Sequence, residues 1–347
     1  MEIEQFIGGF TQQEEAIIIY KMTNSSGNSV QLCNIGASVM GISVKDKNGE
    51  LTDVVLGYKD PKNYFNDSAY LGKTPGRFSN RIALGKFTLE GKEYTLKQNN
   101  GCNHLHGGIK NFAEQLWLSS IENDKVVFQL TSPDMQEGYP GQLNAEVVYS
   151  WSEDNELSIE LLAETDKTTV VNLTNHTYFN LNGENSGSVL ENKLTLNASR
   201  YLPTDKTQIP TGELSDVKGT PMDFTQGKTL GQDIDQEFTA LEYGFGYDHC
   251  WVIDNFEAEG IKHVGSLEGN LSGIKMDIYS TQVGVQVYSG NFLQGIAQGK
   301  SSQNYKNREG VAIECQGFPD SPNHSNFPSS VLEPGERYDQ IIKFKFS

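Results

Sequence analysis

A pair of adjacent stretches restricts the fold more than anything else in the chain. In "QLNAEVVYSW" every second residue is apolar, namely Leu143, Ala145, Val147, Tyr149 and Trp151. A short polar turn, "SEDNE", follows. "LSIELLAET" then resumes the alternation with Leu157, Ile159, Leu161 and Ala163. A period of two places these side chains on one face of a strand, so the pair reads as an antiparallel hairpin with one buried side. Weaker versions of the pattern occur at Ala16–Met22, Val30–Ile35, Val39–Val44, Lys125–Leu130, Gly273–Tyr279 and Ile341–Phe346. Turn clusters such as "KNGE" and "SSGNS" separate many of them, in a chain with 35 glycines.

No segment shows an amphipathic helix of three turns. Pro61–Asp67, "PKNYFND", reads as one short helix. Many strands with few helices point to a sandwich or barrel rather than to βαβ units. The 347 residues show no linker, repeat or break in composition. All-β units can reach such a length, so one domain over residues 1–347 is expected.

The formal net charge of −18 opposes binding to a phosphate backbone or an anionic membrane. The acidic N-terminal stretch lacks the basic flank and apolar core of a signal peptide. No run approaches the ~18 apolar residues of a membrane span. Cys33, Cys102, Cys250 and Cys315 are scattered without metal or redox spacing. A cytoplasmic protein with reduced thiols, binding neither nucleic acid nor membrane, is expected.

Several strands carry groups that a core does not need. In "VVNLTNHTYFNLNG" a period of two puts Asn172, Thr174, His176 and Tyr178 on one face. In "GVAIECQGFPD" Glu314 shares a face with Gly310, Ala312 and Gln316, opposite Val311, Ile313 and Cys315. A carboxylate among small residues suggests the floor of a cavity; a buried Glu–Arg pair is the plain alternative. "GRFSNRIALGKF" brings Arg77, Asn80 and Arg81 together, planar donors suited to adjacent sugar hydroxyls or to ordinary acidic partners. Asp248 opens the apolar run in "GYDHCWVI" and could equally cap a turn. Gln286 and Tyr288 share a face in "GVQVYSGNF", as an amide and a ring that grip a sugar would. His104 and His106, in "NHLHGG", would face the same side of an extended strand and could bind a metal there.

Together "GRFSNRIALGKFTLEGKEYTL", "NNGCNHLHGG", "EGYPG", "NLTNHTYFNLNG", "GFGYDHCWVI", "GVQVYSGNF" and "GVAIECQGFPD" resemble, in the family's order, the galactose mutarotase (aldose 1-epimerase) family. The resemblance spans about Gly57 to Tyr338. It implies an all-β antiparallel supersandwich with few short helices and a concave sugar cleft. It implies an isomerase that interconverts the anomers of galactose, glucose or a related aldose. By position, Glu314 matches the general base and His176 the general acid. His106 matches the second active-site histidine, near the ring oxygen. Asn80, Arg81, Asp248 and Gln286 match the hydroxyl ligands, and Tyr288 an aromatic against the sugar. One departure is the extra residue pair in "GFGYDH" before Asp248. No metal, nucleotide or redox cofactor is implied, the partner is a small sugar, and the chain is expected as a monomer or homodimer.

General acid–base chemistry at one centre expects Glu314 as carboxylate and His176 as imidazolium. The rate should then rise as Glu314 ionises and fall as His176 loses its proton. Three other readings remain open from the residues: a glycoside hydrolase using Asp248 and Glu314, a non-catalytic sugar-binding module, and a metal-dependent enzyme built on His104 and His106.

Overall fold

The computed structural model describes residues 1–347. The hairpin forms as expected: Leu143–Trp151 pairs with Glu156–Thr165, with Trp151 opposite Leu157 and Leu143 opposite Thr165. Its alternating apolar residues are buried, and the intervening polar ones are half-buried or exposed over most of its length. The six weaker alternating segments are present as strands within a few residues, as Ala16–Thr23, Ser29–Cys33, Ser38–Lys45, Lys125–Ser132, Lys275–Ser280 and Tyr338–Phe346. Pro61–Tyr64 is a 3-10 turn whose first N–H groups are capped by Asp60, which accounts for the short helix. The longest helix is Thr239–Gly244. No helix is long and apolar enough to cross a membrane.

Three large antiparallel sheets build most of the molecule, beside three two-stranded pairs. A five-stranded sheet is formed in chain order by the strands from Glu2 to Asp53. A nine-stranded sheet holds the hairpin and joins it, through Tyr338–Phe346, to Lys275–Ser280 and Lys262–Glu268. A six-stranded sheet runs in the order Tyr178–Phe179, Val311–Gln316, Gly284–Tyr288, Asp248–Val252, Arg200–Tyr201, Ser215–Asp216. One continuous apolar cluster takes side chains from all three, including Tyr20 and Leu32, Phe128 and Ile278, and Trp251, Val287 and Ile313. The architecture is an all-β antiparallel sandwich.

The six-stranded sheet positions the site. Glu314 lies opposite Gln286, and Gln286 opposite Cys250. Tyr178 lies opposite Ala312, Ala312 opposite Tyr288, and Tyr288 opposite Asp248. Strand alternation therefore puts Tyr178, Glu314, Gln286, Tyr288 and Asp248 on one face, and Val285, Val287, Val311 and Ile313 on the other, in the core. Ala312 is the small residue between two tyrosines that leaves room above the sheet.

The stretch after Val170 departs from the expected strand. Regular pairing covers only Thr169–Val170 and Tyr178–Phe179. Between them the backbone is laced to residues 72–79: Ser79 N–H donates to Asn172 O, His176 N–H to Lys73 O, and Gly72 N–H to His176 O. Side chains do the remaining work of a ladder. The Asn172 amide donates to Ser79 O and accepts from Gly317 N–H, and the Thr174 hydroxyl donates to Cys315 O. Half of the supposed polar face is therefore internal bonding, and only His176 and Tyr178 reach the cleft.

Candidate active site

The cleft lies over the polar face of the six-stranded sheet and has about 230 Å³ of free space. The sheet supplies Tyr178, Asp248, Tyr288 and Glu314. A second wall comes from the short pair Arg81–Ile82 with His104–Leu105, which brings Asn80, Arg81, Leu105 and His106 to the opening. A third wall is the irregular segment containing Ser68, Ala69 and Tyr70. Of the eight residues to which the family resemblance gives a role, seven thus line one cleft. Gln286 does not: it sits behind Asp248 and donates to its Oδ1 at 2.6 Å.

At the bottom, His176 Nε2 and Glu314 Oε1 are 3.4 Å apart, and both side chains are almost wholly shielded from water. The Glu–Arg alternative fails here. The arginine at the cleft pairs with Asp248, Arg81 Nη2 to Oδ2 at 3.6 Å, while Glu314 Oε2 has no hydrogen-bond partner. Arg81 is also fixed through Nε to Asn100 Oδ1 at 3.0 Å. Arg77 plays another part: it is buried and donates to the Ser132 hydroxyl and to the carbonyls of Ser132, Pro133 and Pro140. It pins the loop that delivers Asn80 and Arg81.

The two histidines of "NHLHGG" do not share a face. His106 adopts φ +51°, a left-handed conformation that breaks the period of two. His104 turns inward, its Nδ1 at 2.6 Å from Lys97 O and its Nε2 at 2.7 Å from the Tyr139 hydroxyl. With a carbonyl on one nitrogen and a hydroxyl donor on the other, it is a satisfied neutral imidazole, not a metal ligand. His106, His176 and Glu314 do bring potential ligand atoms within 4.8 Å of one another. The Asn80 N–H, however, donates to His106 Nδ1 at 3.1 Å. That bond places the His106 proton on Nε2, making it a hydrogen-bond donor toward the cleft rather than a lone pair for a metal. In this tautomer His106 could give up its remaining proton only by becoming imidazolate, whereas His176 Nε2 faces the Glu314 carboxyl.

Burial governs the electrostatics. It pushes Glu314 well above the usual carboxylate range, the negative charge of Asp248 adds to this, and Arg81 opposes it. It pushes His176 down to about 4, despite its own backbone and Asp248 acting the other way, and Lys73 adds to the fall. His106 lies well below the ordinary histidine value, through burial and then the nearby His176 and Arg81. Both directions run against the expectation of a resting carboxylate facing an imidazolium. Desolvation favours the neutral acid and the neutral imidazole.

Tyr70, Asn100, Tyr178, Gln208 and Phe292 also line the cleft and were not singled out as site residues from the sequence. Tyr70 packs on His106 at 4.6 Å and on His176 at 6.0 Å between ring centroids. No periodic signal marks it. Its place comes from a turn capped by Asp67, which accepts from Ala69 N–H and Leu71 N–H. The extra pair in "GFGYDH" is also accounted for. The helix ends on Phe245 at φ +55° and Gly246 at φ +128°, Tyr247 is buried with its hydroxyl on Pro221 O, and Asp248 starts its strand in register.

An antiparallel β-sandwich whose concave cleft joins a buried glutamate–histidine pair to fixed amide, guanidinium and carboxylate groups has the chemistry for proton transfer on a small polar ligand. The aldose 1-epimerase family model matches residues 19–345. A galactose mutarotase of Bos taurus is 41% identical over 92% of this chain and 91% of its own. An aldose 1-epimerase of Escherichia coli is 36% identical over 94% of both chains. The solved structure of an aldose epimerase homologue from C. elegans superposes with a TM-score of 0.86 at 31% identity, covering 94% of this chain and 98% of that one. The chain belongs to the aldose 1-epimerase family, a family of isomerases.

Proposed function

We propose that this chain is an aldose 1-epimerase that interconverts the α and β anomers of galactose, glucose or a related hexose, in hexose and galactose metabolism. The observation that carries the reading is the buried pair at 3.4 Å, Glu314 facing His176 at the floor of a cleft walled by hydroxyl-binding groups. Glu314, as carboxylate, takes the proton from the anomeric hydroxyl, and C1 and its oxygen form a carbonyl. The bond from C1 to the ring oxygen breaks, and His176, as imidazolium, delivers a proton to that oxygen. Rotation about C1–C2 presents the other carbonyl face, and the same steps in reverse close the ring.

The ion pair needed for this step and the neutral pair favoured by burial hold the same single proton. Sugar binding tips the balance between them. The anomeric hydroxyl donates to Glu314 and the ring oxygen accepts from His176, and each of these bonds favours the charged form. Asn80, Arg81 and Asp248 hold the remaining hydroxyls while the ring is open, and the His106 Nε2–H donates near the ring oxygen. Gln286 acts one step removed, by orienting Asp248. Tyr288 offers its ring to a C–H face of the sugar.

We further infer that the chain works as one domain, since a single apolar core takes side chains from all three sheets. It needs no cofactor, because every proposed role is filled by a side chain. It acts in the cytoplasm as a monomer or homodimer, without nucleic-acid or membrane partners. Polarimetry on freshly dissolved α-D-galactose and α-D-glucose tests the activity. An enzyme-dependent approach to equilibrium is expected; release of product from an aryl glycoside, without anomer interconversion, would establish the hydrolase instead.

A further inference from the structure

Lys73 is a charged residue with no exposed surface, next to the catalytic centre and without a role in the chemistry above. Its Nζ lies 2.8 Å from Glu114 Oε1 and 3.8 Å from Asp67 Oδ2. Burying an ammonium is unfavourable unless it is paired and bonded, so the position calls for a reason. The surroundings suggest one. Asp67 accepts from the Tyr58 hydroxyl and from Ala69 and Leu71 N–H, which shapes the turn that carries Tyr70 onto both cleft histidines. Glu114 holds Lys73 through one oxygen and Asn66 N–H through the other. The same segment ends in Gly72 and Lys73, whose N–H and carbonyl clamp the backbone of His176 at 3.0 and 2.8 Å. The Lys73 ammonium also lies 5.9 Å from the centre of the Tyr70 ring, on which His176 packs.

We propose that Lys73 is a positioning residue for His176: its ion pair with Glu114 locks the segment 67–73 onto the catalytic histidine and keeps a buried cation beside the Tyr70–His176 pair. The inference rests on His176 being the proton donor proposed above. Around that imidazole stand Glu314 and Asp248 from the six-stranded sheet, His106 and Arg81 from the opposite wall, Tyr178 from its own stretch, and Tyr70 with Lys73 from the segment 67–73. Lys73 and Arg81 are the cations of this set. The field of Lys73 resists protonation of His176, and the anion of Glu114 partly masks that field. Removing the two partners should therefore act in opposite directions.

The test is an NMR titration of the His176 ring in the sugar-free, full-length protein, in the parent and in K73M and E114Q. K73M should move the His176 midpoint up, because the cation is lost and the anions remain. E114Q should move it down, because the cation is unmasked. Shifts of at least about half a pH unit are expected, a roughly threefold change in proton affinity. The acid limb of kcat/KM should follow in each variant. Loosening of the segment with no effect of the Lys73 charge would shift both variants the same way, and that result, or no shift in either, would overturn the proposal. If K73M does not fold, E114Q still decides by its sign. Anomer exchange is measured separately, so an inactive parent would refute the proposed function while leaving the titration result to stand.

Discussion

At the level of single residues, the proposed mechanism turns on the one proton assigned to the facing pair Glu314 and His176. Of the residues that carry it, both were legible in the sequence, because a glutamate among small residues and a histidine in a polar run are out of place in a core strand. Their protonation was not legible, since burial is a property of the whole fold. The consequence is a changed pH profile. With the neutral pair at rest, the acid limb of kcat/KM comes from adding a proton to His176, held down to about 4, and the basic limb from taking one from Glu314, which is held high. The plateau should span neutral pH. In residual activity, after subtracting the buffer and hydroxide blank, H176N should lose the acid limb and E314Q the basic one. The opposite pattern would restore the ion pair as the resting state. Stability should report the same burial. A carboxyl whose folded value is raised contributes stability below its ordinary range, ~4.3, that is lost as pH rises toward the raised value. The Tm of E314Q should therefore match the parent near pH 4 and exceed it increasingly toward pH 8. A difference that does not grow with pH would mean that Glu314 is better solvated than its surroundings imply. Gln286 was misplaced from the sequence for a simple reason. Sharing a strand face with Tyr288 puts it under the cleft, but only the register shows that Asp248 stands above it.

Elements that follow a strict period were easy to read, and the irregular ones were not. The hairpin and the other expected strands appear within a few residues of their expected bounds. The run from Val171 to Thr177 was read as a strand because its side chains alternate. It is held instead by Asn172, Thr174 and Asn175 side chains bonded to neighbouring backbone, a pattern that periodicity does not encode. The "LHGG" turn misled in the same way. His106 and Asn80 both sit at positive φ, and a left-handed residue reverses which side its neighbours face. Gly107 explains why this turn requires glycine: its φ is +86°, and a Cβ there would lie 1.8 Å from Gly76 O. Gly107→Ala should cost more than about 2 kcal/mol of stability, from backbone strain and the clash together. It should also lower activity by displacing His106. Chemical denaturation checks the first; a loss within ~0.5 kcal/mol would show that the turn can relax around the methyl group.

Over the whole molecule, three sheets wrap one apolar core and leave one face of the six-stranded sheet free to become the cleft floor. The fold class was visible from strand periodicity, whereas the sheet order was not, because Val311–Gln316 pairs with the distant Tyr178–Phe179 as well as with Gly284–Tyr288. Such long-range pairings bring chemistry from distant regions of the chain together. Since His104 is engaged at both ring nitrogens and His106 is held as an Nε2–H donor, dialysis against EDTA should leave the rate of anomer interconversion unchanged. Loss of activity that one divalent ion restores would reopen the metal reading. The most direct test of the shared-proton pair is magnetisation exchange between α- and β-galactose at equilibrium, measured by NMR at neutral pH in the parent, E314Q, H176N and the double variant. Each single substitution should slow enzymatic exchange by at least ~10²-fold. The double variant should be little slower than either single one, because the two groups act as a unit on one proton. Near-parental exchange in E314Q or H176N, or a double variant whose loss is the product of the two, would contradict it.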